Sequence, residues 1–277
     1  LASKASIVLF DGFPMYKSDD LLLKIANKEN ITLFGVSAKY IDALRKTNKN
    51  FKKIHKLEKL RTICSTGSPL SSDCFKFVYN NIKKNVHLAS ISGGTDIVSC
   101  FVLGNIFSPI ITGQIQNNGL GMDVKVFDEK GHSLINKKGE LVCKNSFPSM
   151  PKKFWNDKKN KKYKASYFSK YNKIWHHGDY AERKRNGGYI IYGRSDATLN
   201  PGGVRLGTSE IYSVVEGFKE VKESIVIGQK WDNDIRIILF IVLNNKFIFD
   251  NSLVDRIKKQ IRKDASPRHV PSKIIRV

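Results

Sequence analysis

Short apolar runs alternate with amphipathic stretches up to about residue 90 of the chain. The apolar runs predict strands at residues 6–10, 31–34, 61–65 and 86–91. The stretches between them have helical spacing and predict helices at residues 19–27, 37–46 and 71–83. Ser37 is placed to cap the second helix, and Ser71 or Ser72 the third. Strands that alternate with helices indicate crossover connections and a largely parallel sheet, so we expect function at the carboxyl ends of the strands.

The pattern changes to short alternating runs after residue 121. Residues 122–143 predict a smaller antiparallel subdomain, and the lysine-rich stretch 158–164 predicts a polar surface loop. Two more strands are expected after the segment 175–179, ending at residues 188–192.

A second unit is predicted beyond Gly193. Thr208 is placed to cap a helix that runs to residue 215, and the remaining elements are expected at residues 223–227, 235–243, 252–263 and 273–277. A βα-type unit of about 80 residues suits a small attached domain. We therefore predict an α/β protein with a large domain over residues 1–195 and a small lid domain over residues 196–277.

Composition is that of a globular protein, with 41% hydrophobic and 10% aromatic residues among 277. The longest apolar stretch, at 237–243, is far too short to span a bilayer. The four cysteines form no CxxC pair, which favours a reducing, cytoplasmic setting. The start of the sequence has neither Met nor a signal-like segment, so we expect the biological start to lie elsewhere.

A formal net charge of +23 raises the alternative of a basic nucleic-acid-binding module. The basic residues are mostly lysines that lie scattered beside asparagine and in turns. This distribution is typical of a solvated surface, because arginine usually supplies bidentate recognition. A nucleic-acid module would bind with an affinity that falls steeply with salt.

The segment Ser92 to Asp96 offers groups that suit a phosphate and its Mg²⁺. Gly93 and Gly94 allow close approach of the backbone, Thr95 supplies a hydroxyl and Asp96 a carboxylate. An ordinary glycine-rich turn after a strand is the alternative interpretation.

Further candidates surround the predicted boundary between the two domains. Asp179 can accept two hydrogen bonds from a ribose diol or can be a turn residue, and no further Cys or His at zinc-site spacing accompanies His176 and His177. Arg194 is a candidate for a basic residue that reaches the nucleotide, and Asp196 is a candidate hinge residue. Gly203 is a turn glycine, and Arg205 is a second basic residue just after that turn. As isolated features these residues would indicate an exposed linker.

The joint order of these motifs resembles the adenylate-forming acyl-CoA synthetase superfamily along essentially the whole chain. The shared motifs are TGSPL, SGGTDI, GELVC, WHHGDY and GRSDATLNPGGVRLGTSEIY. Within the superfamily the chain is most similar to the acetoacetyl-CoA synthetase branch, in LFGVSAKYI, FPSMPKKFWND, YFSKY, GRSDATLNPGGVR and SPRHVPSKI. The resemblance implies that residues 1–195 are the C-terminal part of a large AMP-binding domain, with a crossover-linked sheet and a small β subdomain. Residues 196–277 are then expected to be a small α+β lid domain that is truncated.

The resemblance also implies a chemistry. Such enzymes form an acyl-AMP from a carboxylic acid and ATP, release pyrophosphate, and exchange AMP for the thiol of coenzyme A. The implied substrates are ATP, acetoacetate and coenzyme A, with Mg²⁺ as cofactor and with neither nucleic acid nor membrane as partner. Another short- or medium-chain acyl-CoA synthetase is an alternative within the same class, and a catalytically silent nucleotide binder is another.

Roles carry over to the positions that match the family motifs. Gly67, Ser68 and Pro69 correspond to the loop against the adenine, Thr95 to the hydroxyl at the α-phosphate and Asp96 to the Mg²⁺-binding acid. Most of the superfamily has Glu at that last position, and a bridging water is one way for the shorter Asp96 to reach the metal. Asp179 corresponds to the acid that holds the ribose hydroxyls, Arg194 to the basic residue that supports it and Asp196 to the hinge. Gly203 corresponds to the glycine at the pantetheine tunnel, Arg205 to the arginine that neutralises phosphate charge and Arg262 to an arginine that meets coenzyme A.

Two further expectations follow from the resemblance. Gly93 stands where acetate-activating relatives carry a bulky Trp, so a longer acid is expected to fit, and Gly93→Trp is expected to shift preference toward acetate. A phosphate-gripping loop is expected upstream of Leu1 and an adenylation lysine downstream of Val277. We therefore expect these 277 residues alone not to complete adenylation, which pyrophosphate release would test.

Overall fold

The chain folds around three large hydrophobic clusters that follow one another in sequence. In a computed structural model, which describes residues 4–232 and 234–277, they extend from Leu23 to Leu88, from Ile97 to Tyr189 and from Leu199 to Ile261. The α-helices are α1 Leu21–Lys28, α2 Ala38–Lys46, α3 Ser72–Phe77, α4 Lys161–Tyr167, α5 Thr208–Val215 and α6 Asn251–Asp264. The strands are β1 Leu33–Ser37, β2 Thr62–Thr66, β3 His87–Ser90, β4 Ser92–Gly94, β5 Ser99–Leu103, β6 Asn117–Asn118, β7 Val124–Phe127, β8 Lys138–Cys143, β9 Trp175–Arg183, β10 Tyr189–Arg194, β11 Val221–Trp231, β12 Asp234–Leu243 and β13 Lys273–Arg276.

The first body is a parallel sheet of order β1-β2-β3 with helices in its crossovers. Ser37 Oγ caps α2 by accepting from Tyr40 N at 3.1 Å, and Ser71 Oγ caps α3 by accepting from Cys74 N at 3.3 Å. A π-helical segment, Val78–Ile82, continues α3. The parallel sheet, its helices and both serine caps confirm the interpretation of the sequence pattern.

The strand predicted over residues 6–10 is wrong. The structure gives this segment no strand, and it leaves Ile7 59% and Leu9 89% exposed. The apolar run has strand character, but a strand forms only when a neighbour accepts its ladder hydrogen bonds. Within the described residues the first sheet ends at β1 and β3, so no neighbour pairs with this run.

The second body is an antiparallel sheet of order β10-β9-β8-β7, with a small sheet β4-β5-β6 beside it. This confirms the predicted antiparallel subdomain. The predicted loop at 158–164 is wrong, because a 3₁₀ turn leads directly into α4 there. Tyr163 anchors that helix: it is buried and packs edge-on against Phe154 at 5.3 Å, while the lysines around it stay exposed.

The third body combines a mixed sheet of order β11-β12-β13 with α5 and α6. Asp250 caps α6 by accepting from Leu253 N at 2.8 Å. Gly207, rather than Thr208, is the capping residue of α5, and its N donates to Glu210 Oε2 at 3.1 Å. The boundary at residue 195 stays a prediction, although the third cluster begins close to it, at Leu199.

Polar contacts join the third body to the other two. Arg45 Nη2 donates to the Glu216 carbonyl at 3.3 Å, and Lys138 Nζ binds Glu210 Oε1 at 2.6 Å. Lys39 also pairs with Glu216. Among the described helices, none has the length and apolar character needed to cross a bilayer.

Candidate functional site

A cavity of about 980 Å³ opens where the three bodies meet. It lies at the carboxyl ends of β2 and β3, which is where the parallel sheet was expected to present its functional loops. Its walls come from the loop after β2, the segment after β3, the first half of β9, the last residues of β10, and one face of α5.

Most of the candidate residues meet in this cavity. Those that line it are Gly67, Ser68, Pro69, Gly93, Thr95, Asp96, Asp179 and Arg194. The residues that do not line it are Asp196, Gly203, Arg205 and Arg262. Residues far apart in sequence therefore share one hollow, while their individual roles stay predictions.

Asp179 is a buried acidic side chain in the wall of the cavity. It is 7% exposed and lies on β9. Its Oδ1 accepts from Arg194 Nη1 and its Oδ2 from Ser92 Oγ, each at 3.1 Å. An ionised carboxylate offers about four acceptor positions, so two remain for a ligand with paired donors. A ribose diol is such a ligand.

Gly178 allows this arrangement on β9. Its φ of +80° lies in the left-handed region, where a side chain is strained. A Cβ there would also stand 2.6 Å from Arg194 Nη2. The glycine thus lets the guanidinium reach both the His177 carbonyl, at 2.9 Å, and the Asp179 carboxylate.

The paired glycines have packing reasons that the sequence did not reveal. A Cβ on Gly93 would lie 2.1 Å from the Ser99 carbonyl oxygen, across the bulged pairing of β4 with β5. A Cβ on Gly94 would lie 2.9 Å from His177 Cε1. Each glycine is therefore required by a close neighbour, whatever ligand the cavity takes.

His177 is a cavity residue whose role the sequence interpretation missed. It is 8% exposed, lies edge-on to Phe101 at 4.7 Å, and its Nε2 donates to the Gly93 carbonyl at 3.0 Å. Burial lowers the pKa of His177, so the neutral ring with its proton on Nε2 is favoured. The signal was present in the WHHGDY motif, where the histidine was considered only as a metal ligand.

Replacing Gly94 by alanine is expected to destabilise the protein by about 1–3 kcal/mol, because the new methyl overpacks the buried His177 ring. The change in the free energy of unfolding is measured by urea denaturation. Gly35→Ala is the matched control, since its Cβ would meet nothing within 4 Å. Equal midpoints for the two variants would contradict the packing argument.

The same geometry limits one experiment that the sequence suggests. A tryptophan at Gly93 places its Cβ, and not only its indole, against the Ser99 backbone. We therefore expect Gly93→Trp to disturb the pairing of β4 with β5 before it changes the size of an acid pocket. The suggested link between Gly93 and acid length stays a prediction that needs another test.

Asp96 lies at the cavity wall with Tyr167 as its partner. The Tyr167 hydroxyl donates to Asp96 Oδ2, and its ring stacks on Trp175 with centroids 3.7 Å apart. Burial, followed by the hydrogen bond to Asp96, raises the pKa of Tyr167, which keeps the hydroxyl protonated. Mg²⁺ commonly takes one or two carboxylates and completes its shell with phosphate and water, so a single Asp96 in an open cavity fits this ion.

Arg205 points away from the cavity in this structure. Its Nη1 donates to Glu140 Oε1 at 2.7 Å and its Nη2 to the Ser195 carbonyl at 3.0 Å. Asp196 is exposed and faces Arg194 Nε at 3.6 Å. The phosphate-neutralising role of Arg205 stays a prediction, and it requires a different orientation of this side chain.

Comparisons with known proteins match this architecture. A profile of the AMP-binding enzyme family matches residues 1–151. The chain is 52% identical over 277 residues to the acetoacetyl-coenzyme A synthetase of Rhizobium meliloti (strain 1021), covering 100% of this chain and 43% of that protein. It is 44% identical to the acetoacetyl-CoA synthetase of Gallus gallus, covering 99% of this chain and 42% of that one. The chain thus spans about two fifths of the length of these relatives.

Solved structures give the same picture. The acetoacetyl-CoA synthetase from Streptomyces lividans superposes with a TM-score of 0.88 at 40% identity, covering 96% of this chain and 41% of that chain. The anthranilate CoA ligase AuaEII, solved in complex with anthranoyl-AMP, superposes with a TM-score of 0.81 at 21% identity, covering 99% of this chain and 51% of that one. The second likeness shows the fold alone. The expectation of a mixed α/β fold of the adenylate-forming type is confirmed.

Proposed function

The chain belongs to the AMP-binding enzyme family, and from that premise we propose that it supplies the AMP-facing part of an ATP-dependent acetoacetyl-CoA synthetase. The proposed reaction converts acetoacetate, ATP and coenzyme A into acetoacetyl-CoA, AMP and pyrophosphate. The observation that carries the proposal is the shared cavity that brings the candidate nucleotide residues of three segments together. The names of relatives 52% and 44% identical support acetoacetate as the acid.

In this proposal separate parts of the cavity wall contact the base, the ribose and the phosphates of the nucleotide. Loop residues 67–69 lie against the base, and the open acceptor positions of Asp179 take the ribose hydroxyls. Thr95 donates to the α-phosphate from the 3₁₀ turn that follows β4. Asp96 would hold Mg²⁺, which when bound supplies charge neutralisation at the phosphates.

The chain's own side chains prepare these contacts before a ligand arrives. Arg194 and Ser92 orient the Asp179 carboxylate, and Tyr167 orients Asp96. Such pre-orientation reduces the entropy lost when a ligand binds. We also propose a reducing, cytoplasmic setting, which the free thiols of Cys64, Cys74, Cys100 and Cys143 support.

Isothermal titration of the chain with AMP tests the nucleotide part of the proposal. We expect AMP to bind with a ratio of one per chain and GMP to bind more weakly, because the base lies against a shaped loop. Non-hydrolysable acyl sulfamoyl adenosines then test the acid, with acetoacetyl expected to bind more tightly than acetyl or butyryl. Equal binding of the acyl analogues would contradict acetoacetate as the substrate, and no binding of AMP would contradict the nucleotide site itself.

A further inference from the structure

Glu140 is a buried carboxylate outside the cavity, on β8, with an unusual number of donors. It is 2% exposed. Its Oε1 accepts from Lys170 Nζ and from Arg205 Nη1, each at 2.7 Å. Its Oε2 accepts from His176 Nε2 at 2.9 Å and also from the Ser195 hydroxyl. The resemblance assigned this residue no role beyond membership of the GELVC motif.

The donors come from separate parts of the fold. Lys170 follows α4 and His176 lies on β9, both in the second body. Ser195 and Arg205 belong to the crossover segment, residues 195–206, which connects β10 to α5 of the third body. One carboxylate thus ties the second body to the segment that leads into the third.

The negative charge of Glu140 strengthens its hydrogen bonds to these donors. Burial works to raise the pKa of Glu140, but the hydrogen bonds from its partners outweigh burial and hold the pKa well below its usual range. A buried carboxylate is stable only while its donors stay in place, because an unpaired buried charge is costly. Departure of the crossover segment would therefore remove two donors, Ser195 and Arg205, from this buried charge, while Lys170 and His176 remain.

Arg205 is fully engaged within the same cluster. Its Nε donates to Thr198 Oγ1 at 3.0 Å, in addition to its bonds with Glu140 and the Ser195 carbonyl. Its guanidinium also covers the Tyr180 ring at 4.5 Å. Each guanidinium nitrogen thus has a partner that keeps the side chain in this orientation.

We propose that Glu140 is the positioning residue of the crossover segment, which it holds, together with Arg205, in the orientation seen here. A pivot of the third body near Asp196 that moves Arg205 then has to break its bond to Glu140. This inference concerns the chain without ligand, so it does not depend on which acid or nucleotide the cavity takes.

Hydrogen exchange of the ligand-free chain tests the proposal. The reporters are the amides of Leu199 and Leu206, which bond each other's carbonyls at 2.9 and 2.7 Å within the crossover segment. Glu140→Gln preserves volume but presents an amide to donors, so exchange at these amides is expected to rise about tenfold. The amides of Leu141 and Val142, on the same strand as Glu140, are expected to stay protected.

Glu182→Gln is the matched control. Glu182 is also a buried carboxylate, 7% exposed, and it accepts from Lys184 Nζ at 2.6 Å and Tyr192 Oη at 2.7 Å. Those partners lie outside the crossover segment, so exchange at Leu199 and Leu206 is expected to stay unchanged in this variant.

A second variant covers the case in which Glu140→Gln does not fold. Arg205→Met removes one donor at a partly exposed position and leaves Lys170 and His176 on the carboxylate, so it is expected to raise exchange at the same two amides. Unchanged exchange at Leu199 and Leu206 in Arg205→Met would overturn the proposal. A uniform rise throughout the chain in Glu140→Gln would overturn it too, because that result indicates a general loss of stability.

Discussion

An asparagine in place of Asp179 is expected to weaken the binding of AMP by about thirtyfold, which corresponds to about 2 kcal/mol for charge-assisted hydrogen bonds that become neutral. The ribose hydroxyls would meet an amide with one acceptor oxygen instead of a carboxylate with two. The amide nitrogen would also face either Arg194 Nη1 or Ser92 Oγ, which now donate to the two carboxylate oxygens. The residue is 7% exposed, so water replaces these contacts poorly.

Titration calorimetry with AMP measures this effect, provided that the far-UV circular dichroism and the urea midpoint show a folded variant. Glu182→Gln serves as control, since it neutralises another buried carboxylate of the same strand outside the cavity wall. Its affinity for AMP is expected to match that of the unchanged chain. Equal affinities for all three proteins would show that Asp179 does not contact the nucleotide.

Periodicity in the sequence predicted those elements whose apolar faces meet a neighbour. The helix α2 has its serine cap, a buried stripe and basic residues in its last turn, and all of these signals are local. The run 6–10 has the same apolar character without a paired neighbour, and local signals cannot report a missing neighbour. For α4 the error was the opposite one: a loop was predicted where a helix forms. Its many lysines are typical of a loop, but Tyr163 and Tyr167 supply a helical face that packs against other aromatic rings.

The sequence predicted some features of the candidate site and not others, for the same reason. Motif order predicted that Asp96, Asp179 and Arg194 belong together, and the structure places all three on one cavity. Motif order carried no information about which side chain rests on which backbone. The contact of His177 with Gly94 and the cluster around Glu140 depend on tertiary distances, so the sequence alone could not reveal them.

The orientation of Arg205 lies beyond sequence reasoning for a further reason. An arginine after a glycine turn can bind a carboxylate or a phosphate with the same fork geometry. In this structure the guanidinium binds the Glu140 carboxylate, and the phosphate contact stays a prediction. Arg205 cannot bind Glu140 and a phosphate in the cavity from the same position. Both contacts can occur in turn only if the crossover segment moves.

Trp175→Ala is expected to lower the free energy of unfolding by about 3–5 kcal/mol, because it opens a large cavity in an aromatic cluster. Trp175 is 1% exposed and stacks on Tyr167 at 3.7 Å. Its other ring contacts, at 5.5 to 6.1 Å between centroids, are Phe101, Phe147, Tyr163 and Phe168. Domains of this size are commonly stable by about 5–15 kcal/mol, so the loss is a large fraction of the total.

Urea denaturation followed by circular dichroism measures the loss, with Trp155→Ala as the matched control at a 92% exposed tryptophan. The control is expected to change the free energy of unfolding by less than about 0.5 kcal/mol. Trp175→Phe separates packing from hydrogen bonding, because the buried indole Nε1 has no hydrogen-bond partner among the described residues. Phenylalanine removes that unsatisfied group and keeps an aromatic face for Tyr167, so this variant is expected to lose less than half as much as Trp175→Ala. A loss as large as that of the alanine variant would mean that the indole shape, and not aromatic burial, stabilises the wall that holds Tyr167 against Asp96.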